Sequence, residues 1–353
     1  MFMIFQETTM YFCEHFYSSL NIEPDSIQPC CDIMRFAPPK VTYTGGEFPL
    51  EDYKKAIASA SAGNRKADGP CRTCPLLKKV NKAKDHSILL KTILINHQRS
   101  VCNAKCVYCD FWKQPTRSYN INPTIVDLFK SNILADNACF HWGGGEPTLL
   151  PEFEETSEFI FSRNRKQSVC TNAIRYSEQT AKLLGAGACS ILVSLDCGTR
   201  DSYEAIHGVD KFDDVVANLK RYAASSNDIN NISLKYILFK ENDREDEIVE
   251  FLKICRDIKC TNVLFSLDFE EVFANRVSPV TLDMAARIPA IAASYDIDAK
   301  FFYDSYYKDI IAGHQDSRKE QDSIVRFSTM KTFLKRLSNS TIRSNVLTRY
   351  LGL

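Results

Sequence analysis

At 353 residues the chain has room for about two domains of roughly 150 residues each, and a hydrophobic content of 44% supports a sizeable core. Lys plus Arg and Asp plus Glu stand at 44 each, and a formal charge of zero argues against the basic footprint of a nucleic-acid binder. No apolar run reaches the ~18 residues that suggest a membrane span, and the opening MFMIFQETTM has neither the basic start nor the cleavage site of a signal peptide. The expectation is a cytosolic protein that acts apart from membranes and nucleic acids. Its 14 cysteines are then candidates for metal binding or catalysis, since disulfides are rare in that compartment.

Residues 1–90 show no regular alternation. Pro24, Pro29, Pro38, Pro39, Gly45, Gly46 and Pro49 punctuate them, with Cys13, Cys30, Cys31, Cys71 and Cys74 interspersed. They read as a small, loop-rich N-terminal domain held partly by metal. From residue 91 the pattern changes. Strands are predicted at 91–96, 138–143, 168–172, 190–196, 233–239 and 261–267. Helices are predicted near 124–136, 151–163 and 212–224. Another follows Ser177, a ready N-cap, and stops near Gly185 and Gly187. A further helix carries Ile248, Phe251, Leu252 and Cys255 at i, i+3, i+4 and i+7. Strands alternating with helices predict parallel βα units over 91–275, followed by a C-terminal α/β extension over 276–353 that completes or covers them. This alternation fits a doubly wound sheet and a barrel equally, and either form collects active residues at the C-terminal ends of its strands.

The cysteines from Cys139 onward are mostly single and flanked by apolar residues, as small buried hydrophobes are. Cys102, Cys106 and Cys109 differ. They form C-x3-C-x2-C directly after the first predicted strand, and three thiolates on one loop can converge on a soft metal centre. Structural zinc asks for a fourth protein ligand, and the nearest histidine, His97, lies on the strand side. An iron–sulfur cluster also usually takes four thiolates, so three leave one iron open. The spacing alone permits both readings.

The motif C-x3-C-x-aromatic-C after a first strand resembles the radical S-adenosylmethionine (radical SAM) superfamily. Further matches follow on successive strands: Gly143-Gly144-Gly145-Glu146-Pro147, Thr171-Asn172-Ala173, Val193-Ser194-Leu195-Asp196 and Lys235. The resemblance covers about 91–270. It implies a partial (β/α)6 TIM-like barrel, a [4Fe–4S] cluster on Cys102, Cys106 and Cys109, and S-adenosyl-L-methionine on the open iron. It also implies reductive cleavage to a 5′-deoxyadenosyl radical that abstracts a substrate hydrogen, fed by a donor such as flavodoxin or ferredoxin. By the same resemblance Tyr108 lies beside the adenine. Gly144 and Gly145 allow close backbone approach, and Glu146 accepts from the ammonium. Thr171 and Ser194 bond the ribose or methionyl groups, and Lys235 meets the carboxylate. Ala173 and His207 depart from the family's usual glycine and arginine, and His207 puts substrate contacts of its loop in doubt.

Cys13, Cys30 or Cys31, Cys71 and Cys74 resemble the SPASM and twitch auxiliary-cluster modules of the same superfamily, with Ser26 in place of the usual glycine. Here the module precedes the barrel instead of following it. It implies a second [4Fe–4S] cluster. Four cysteines also make a normal structural zinc set, and Cys71 with Cys74 alone can form a redox pair. The resulting expectation is an oxidation of a small molecule or peptide assisted by the second cluster. The alternatives are a peptide-modifying maturase or epimerase, and a non-catalytic iron–sulfur or zinc protein on a barrel scaffold. Cys197, just past the fourth predicted strand, is either a hydrogen donor at the reaction mouth or a small residue filling a turn.

Overall fold

The computed structural model describes residues 10–23, 25–30, 40–43, 47–65, 71, 77–80, 87–96, 101–114, 120–301 and 307–316. Its N-terminal elements are β1 (Met10–Phe12), α1 (His15–Ser18), β2 (Ser19–Ile22), β3 (Ser26–Gln28), β4 (Val41–Thr42), α2 (Leu50–Arg65) and β5 (Lys78–Val80). The alternating part begins with β6 (Leu90–Ile95), α3 (Asn122–Lys130), β7 (Leu134–Trp142), α4 (Phe153–Ser162), β8 (Lys166–Thr171) and α5 (Glu178–Gly185). It continues through β9 (Cys189–Ser194), α6 (Arg200–His207), α7 (Phe212–Ser225), β10 (Ile232–Leu238), α8 (Glu245–Asp257) and β11 (Val263–Leu267). Then come α9 (Phe269–Phe273), α10 (Pro279–Ala293) and β12 (Ala299–Phe301), and residues 307–316 are helical. Among the described residues no helix is long and apolar enough to cross a membrane.

One ten-stranded sheet organises the molecule, in the order β12-β11-β10-β9-β8-β7-β6-β2-β3-β4. Neighbours from β12 through β2 are parallel, β3 and β4 add an antiparallel edge, and the sheet does not close on itself. This is the expected α/β partial barrel, extended at both edges. The extension corrects the boundary at residue 90. β2 pairs with β6 from Ser19–Thr92 to Ile22–Ile95, so part of the N-terminal segment belongs to the barrel's own sheet. The physical reason is apolar: Leu20, Ile22 and Ile27 are at most 1% exposed and share a layer with Ile93 and Ile95. Among the described residues, only β1 and β5 form a separate two-stranded sheet. β12 lies parallel to β11, so the C-terminal extension lengthens the sheet.

Two helices also differ from expectation. α3 ends at Lys130 because Ser131 turns its hydroxyl back to Leu128 O (2.6 Å) and Asn132 adopts φ 56°. Residues 134–136 therefore open β7. The additional helix α6 is N-capped by Thr199, whose hydroxyl accepts from Ser202 N at 3.4 Å. It ends on Gly208 in the left-handed conformation.

The two faces of the sheet are chemically opposite. Phe140, Val169, Val193, Leu234, Tyr236 and Phe265 point outward and are fully buried. There the helices meet them, as in Trp142 against Phe153 of α4 and Tyr236 against Phe251 of α8, both at 4.9 Å between centroids. Side chains of opposite parity, including Ser168, Cys170, Ser190, Ser194, Ser233 and Lys235, are half-buried or exposed. A packed barrel fills this face with bulky branched residues. Small polar residues here leave an open chamber.

Candidate active site

Backbone hydrogen bonds to two elements hold the cysteine loop over the strand ends. The last carbonyls of α6 reach into it: Ile206 O accepts from Val107 N at 2.9 Å and His207 O from Lys105 N at 2.8 Å. Gly208 lets the two backbones close up, since a Cβ there would stand 3.1 Å from Lys105 O. On the other side Glu146 N donates to Val101 O at 2.7 Å, which joins the loop to the glycine turn. Asn172 adds a third contact, its amide donating to Asn103 Oδ1 at 2.7 Å and to Cys102 Sγ at 3.7 Å. Ala104 N also points at Cys102 Sγ, 3.5 Å away.

The three thiols are half-buried and free. Burial pushes Cys102 up from the ordinary thiol range and Cys106 up to about 12, with the Asp196 carboxylate adding to the latter. A thiol held in this way gives up its proton to a bound cation. Among the described residues no three His, Cys, Asp or Glu side chains are grouped around a single ion position. A cluster assigns each thiolate to a different iron and suits three separated thiols. N–H groups aimed at Cys102 fit a thiolate ligand as well. The donor set therefore fits a [4Fe–4S] cluster.

His207, which replaces the family's arginine, contacts the loop itself. It is fully buried, with Nε2 3.0 Å from Leu195 O and Nδ1 3.1 Å from Cys106 Sγ. A carbonyl only accepts, so Nε2 carries the hydrogen and Nδ1 faces the sulfur.

Glu146 and Thr171 meet each other at the end of β8. Glu146 is 1% exposed, and its Oε1 accepts from Thr148 Oγ1 at 2.7 Å and from Thr171 Oγ1 at 2.9 Å. Its Oε2 accepts from Asn172 N at 2.7 Å. Burial pushes this carboxyl up, while the bonds from Asn172 and Thr148 pull it down. Both carboxylate oxygens of Glu146 thus tie the glycine turn to the end of β8, with Thr171 donating to it. Gly144 and Gly145 do turn through left-handed backbone, at φ 72° and 114°.

Tyr108 stacks on Phe239 at 5.1 Å and donates its hydroxyl to Asp196 Oδ2 at 2.7 Å. Burial first, then Asp196, hold that hydroxyl well above its ordinary value. Asp196 has φ 55°, strained for a residue with a side chain. Ile237 N donates to its Oδ1 at 2.8 Å and Asn242 Nδ2 to its backbone oxygen at 2.7 Å. Ser194 and Lys235 are paired across β9 and β10, half-buried on the chamber face.

Cys197 does not reach the chamber. It is fully buried where the chain lies flush on α8, for a Cβ on the next residue, Gly198, would collide with Glu247 O. Its expected role as hydrogen donor is withdrawn on that ground. Cys31, Cys74 and His97 lie outside the described residues. Cys13 and Cys71 are buried and Cys30 is half-buried. Antiparallel pairing of Phe12 with Lys78 puts Cys13 just past the end of β1, beside the start of β5.

Asn172, Asp196, Asn242 and His207 carry much of this geometry without having been singled out as site residues. One signal was available: Asp196 closes a strand, and Asp is among the few residues with a side chain that tolerate left-handed backbone.

A sequence profile of the Radical SAM superfamily matches residues 99–252. The GTP 3′,8-cyclase of Haemophilus influenzae (strain 86-028NP) is 31% identical over 153 residues, 41% of this chain and 45% of that protein. The mycofactocin maturase MftC of Mycobacterium ulcerans (strain Agy99) is 29% identical over 132 residues, 35% of this chain and 34% of that one. The chain thus spans about half the length, or less, of these curated relatives. Among solved structures, Streptococcus suis SuiB bound to its precursor peptide SuiA aligns with a TM-score of 0.50 at 14% identity, covering 74% of this chain and 57% of that one, a likeness of fold. Motifs, loop geometry and profile agree on one conclusion: the chain carries a radical SAM domain over residues 99–252.

Proposed function

We propose that the protein is a radical SAM enzyme in which Cys102, Cys106 and Cys109 hold a [4Fe–4S] cluster beside bound S-adenosylmethionine. That pair, when bound, supplies a 5′-deoxyadenosyl radical for hydrogen abstraction, chemistry that side chains lack. The observation that carries this reading is the loop's attachment to both the glycine turn and the end of α6, directly over an open polar chamber. In it Asn172 orients Cys102, His207 orients Cys106, and Glu146 holds the glycine turn whose backbone would meet the cofactor. Ser194 and Lys235 line the chamber, where they can receive the cofactor's polar groups.

A peptide is the favoured substrate class, supported by a fold shared with SuiB, solved with its precursor peptide, and by likeness to a mycofactocin maturase. A small molecule is the other class, since a further relative is named for its action on GTP. Cys13, Cys30 or Cys31, Cys71 and Cys74 would form a second cluster site that carries electrons between the chamber and a flavodoxin- or ferredoxin-type donor.

The test is anaerobic reconstitution with iron and sulfide. Two four-iron clusters would give about eight irons per chain. Replacing Cys102, Cys106 and Cys109 by Ala should remove about four of them, together with all 5′-deoxyadenosine formation. Cleavage retained by that triple variant would overturn the reading.

A further inference from the structure

The glycine turn has little stiffness of its own, because Gly144 and Gly145 lie in left-handed backbone with no side chains to brace them. Its floor is Asn96, the residue that follows β6. Gly144 lies so close on it that a Cβ would stand 2.9 Å from Asn96 Cα, and a Cβ on Gly143 would stand 3.2 Å from Asn96 Oδ1. Gly143 N also donates to Ile95 O at 3.0 Å. Where Asn96 stands therefore fixes where the turn stands.

Asn96 in turn is held by β2, a strand well outside the segment 99–252 that matches the family. Asn96 N donates to Ile22 O at 2.9 Å, and Asn96 Nδ2 donates to Asn21 Oδ1 at 2.9 Å. Asn21 Nδ2 donates to Glu23 Oε1 at 3.0 Å, so one side chain joins Asn96 to the chain just past β2. Asn21 is 0% and Glu23 5% exposed. An apolar residue at position 21 would pack there at no polar cost, whereas a buried amide is stable only with its hydrogen bonds made. The other end of β2 has its own anchor, away from the turn: Tyr53 OH donates to Ser19 O at 2.8 Å.

Resting on the proposed radical SAM activity, we propose that Asn21 and Asn96 are positioning residues of the S-adenosylmethionine site. β2 fixes Asn96, Asn96 carries the glycine turn, and the turn offers its backbone to the cofactor already in place. The gain in affinity comes from ordering done before binding, since a glycine run without its floor has to be ordered by the cofactor itself. The cofactor site thus extends beyond the family segment into the N-terminal strands. Cutting the bond between Asn21 and Asn96 should weaken S-adenosylmethionine binding about tenfold.

The test is equilibrium dialysis of radiolabelled S-adenosylmethionine against reconstituted, unreduced protein, in which no cleavage takes place. Asn96→Ala and Asn21→Ala should each raise Kd about tenfold. Asn96 is half-buried, so Asn96→Ala carries the test even where loss of the buried Asn21 amide prevents folding. Tyr53→Phe is the control. It cuts a buried hydrogen bond to the same strand away from the turn, and should lower Tm with Kd unchanged. A second readout needs neither iron nor cofactor: amide hydrogen exchange of metal-free protein, read by mass spectrometry over residues 143–146. Exchange there should be about tenfold faster in Asn96→Ala and unchanged in Tyr53→Phe. A Kd for folded Asn96→Ala within about twofold of the native value would overturn the proposal and leave the radical SAM reading intact. An equal rise of Kd in Tyr53→Phe would also overturn it, since any loosening of β2 would then suffice. Iron-loaded native protein that binds no S-adenosylmethionine would remove that reading and the proposal together.

Discussion

Gly143 and Gly144 are neighbours in one turn, but an added methyl group would meet different surroundings at each. At Gly144 a Cβ would stand 2.9 Å from Asn96 Cα and 3.1 Å from Asn96 O, backbone atoms that cannot swing aside, and φ is +72°. At Gly143 it would stand 3.2 Å from Asn96 Oδ1, a side-chain atom that can rotate away. Left-handed backbone costs a residue with a side chain about 1–2 kcal/mol, and overpacking adds about 1–3 kcal/mol. Gly144→Ala should therefore lose about 2–5 kcal/mol, against less than about 1 kcal/mol for Gly143→Ala. At about 2–4 °C per kcal/mol for a large domain, the Tm of Gly144→Ala should fall by roughly 4–20 °C. Thermal unfolding followed by circular dichroism, on protein without metal, reads this directly. Equal Tm values for the two variants, or a larger loss in Gly143→Ala, would refute the reasoning, because only Gly144 presses on the backbone that ends β6.

Asn242→Ala should cost about 3–5 kcal/mol, seen as a lower urea midpoint. It removes donors to Asp196 O and Ile237 O and the acceptor for Phe239 N, and an unchanged midpoint would show that Asp196 keeps its strained backbone without them. Burial holds His141 below its ordinary 6.5. The unfolded chain therefore binds the extra proton first, and stability should decline as pH falls below 6.5. His141→Gln should flatten that decline in denaturant titrations at several pH values, and an identical slope would count against the assignment.

What sequence reading could reach was whatever the chain holds at short range. The spacing of Cys102, Cys106 and Cys109 survives folding because the three share one loop, and the alternation from residue 91 predicts parallel units because each strand and helix carries its own apolar period. The partial barrel and the radical SAM domain followed from such local signals. Depth and direction were different. Whether Cys170 or Cys197 faces the chamber depends on register and on where each strand stops, and a slip of one residue reverses every side chain. Glu146 meets Thr171 and Asn172 only because folding brings them to it from 25 and 26 positions away. The union of β2 with β6, sealed by Asn96 donating to Asn21 across 75 positions, joined the cysteine-rich N-terminus to the barrel. Contacts of that span carry no periodic trace in the sequence, since they are chosen by which apolar faces remain uncovered once the local elements have formed. The sequence by itself determined the chemistry within reach. Tertiary structure alone decided which thiol looks into the chamber and which carboxylate holds it together.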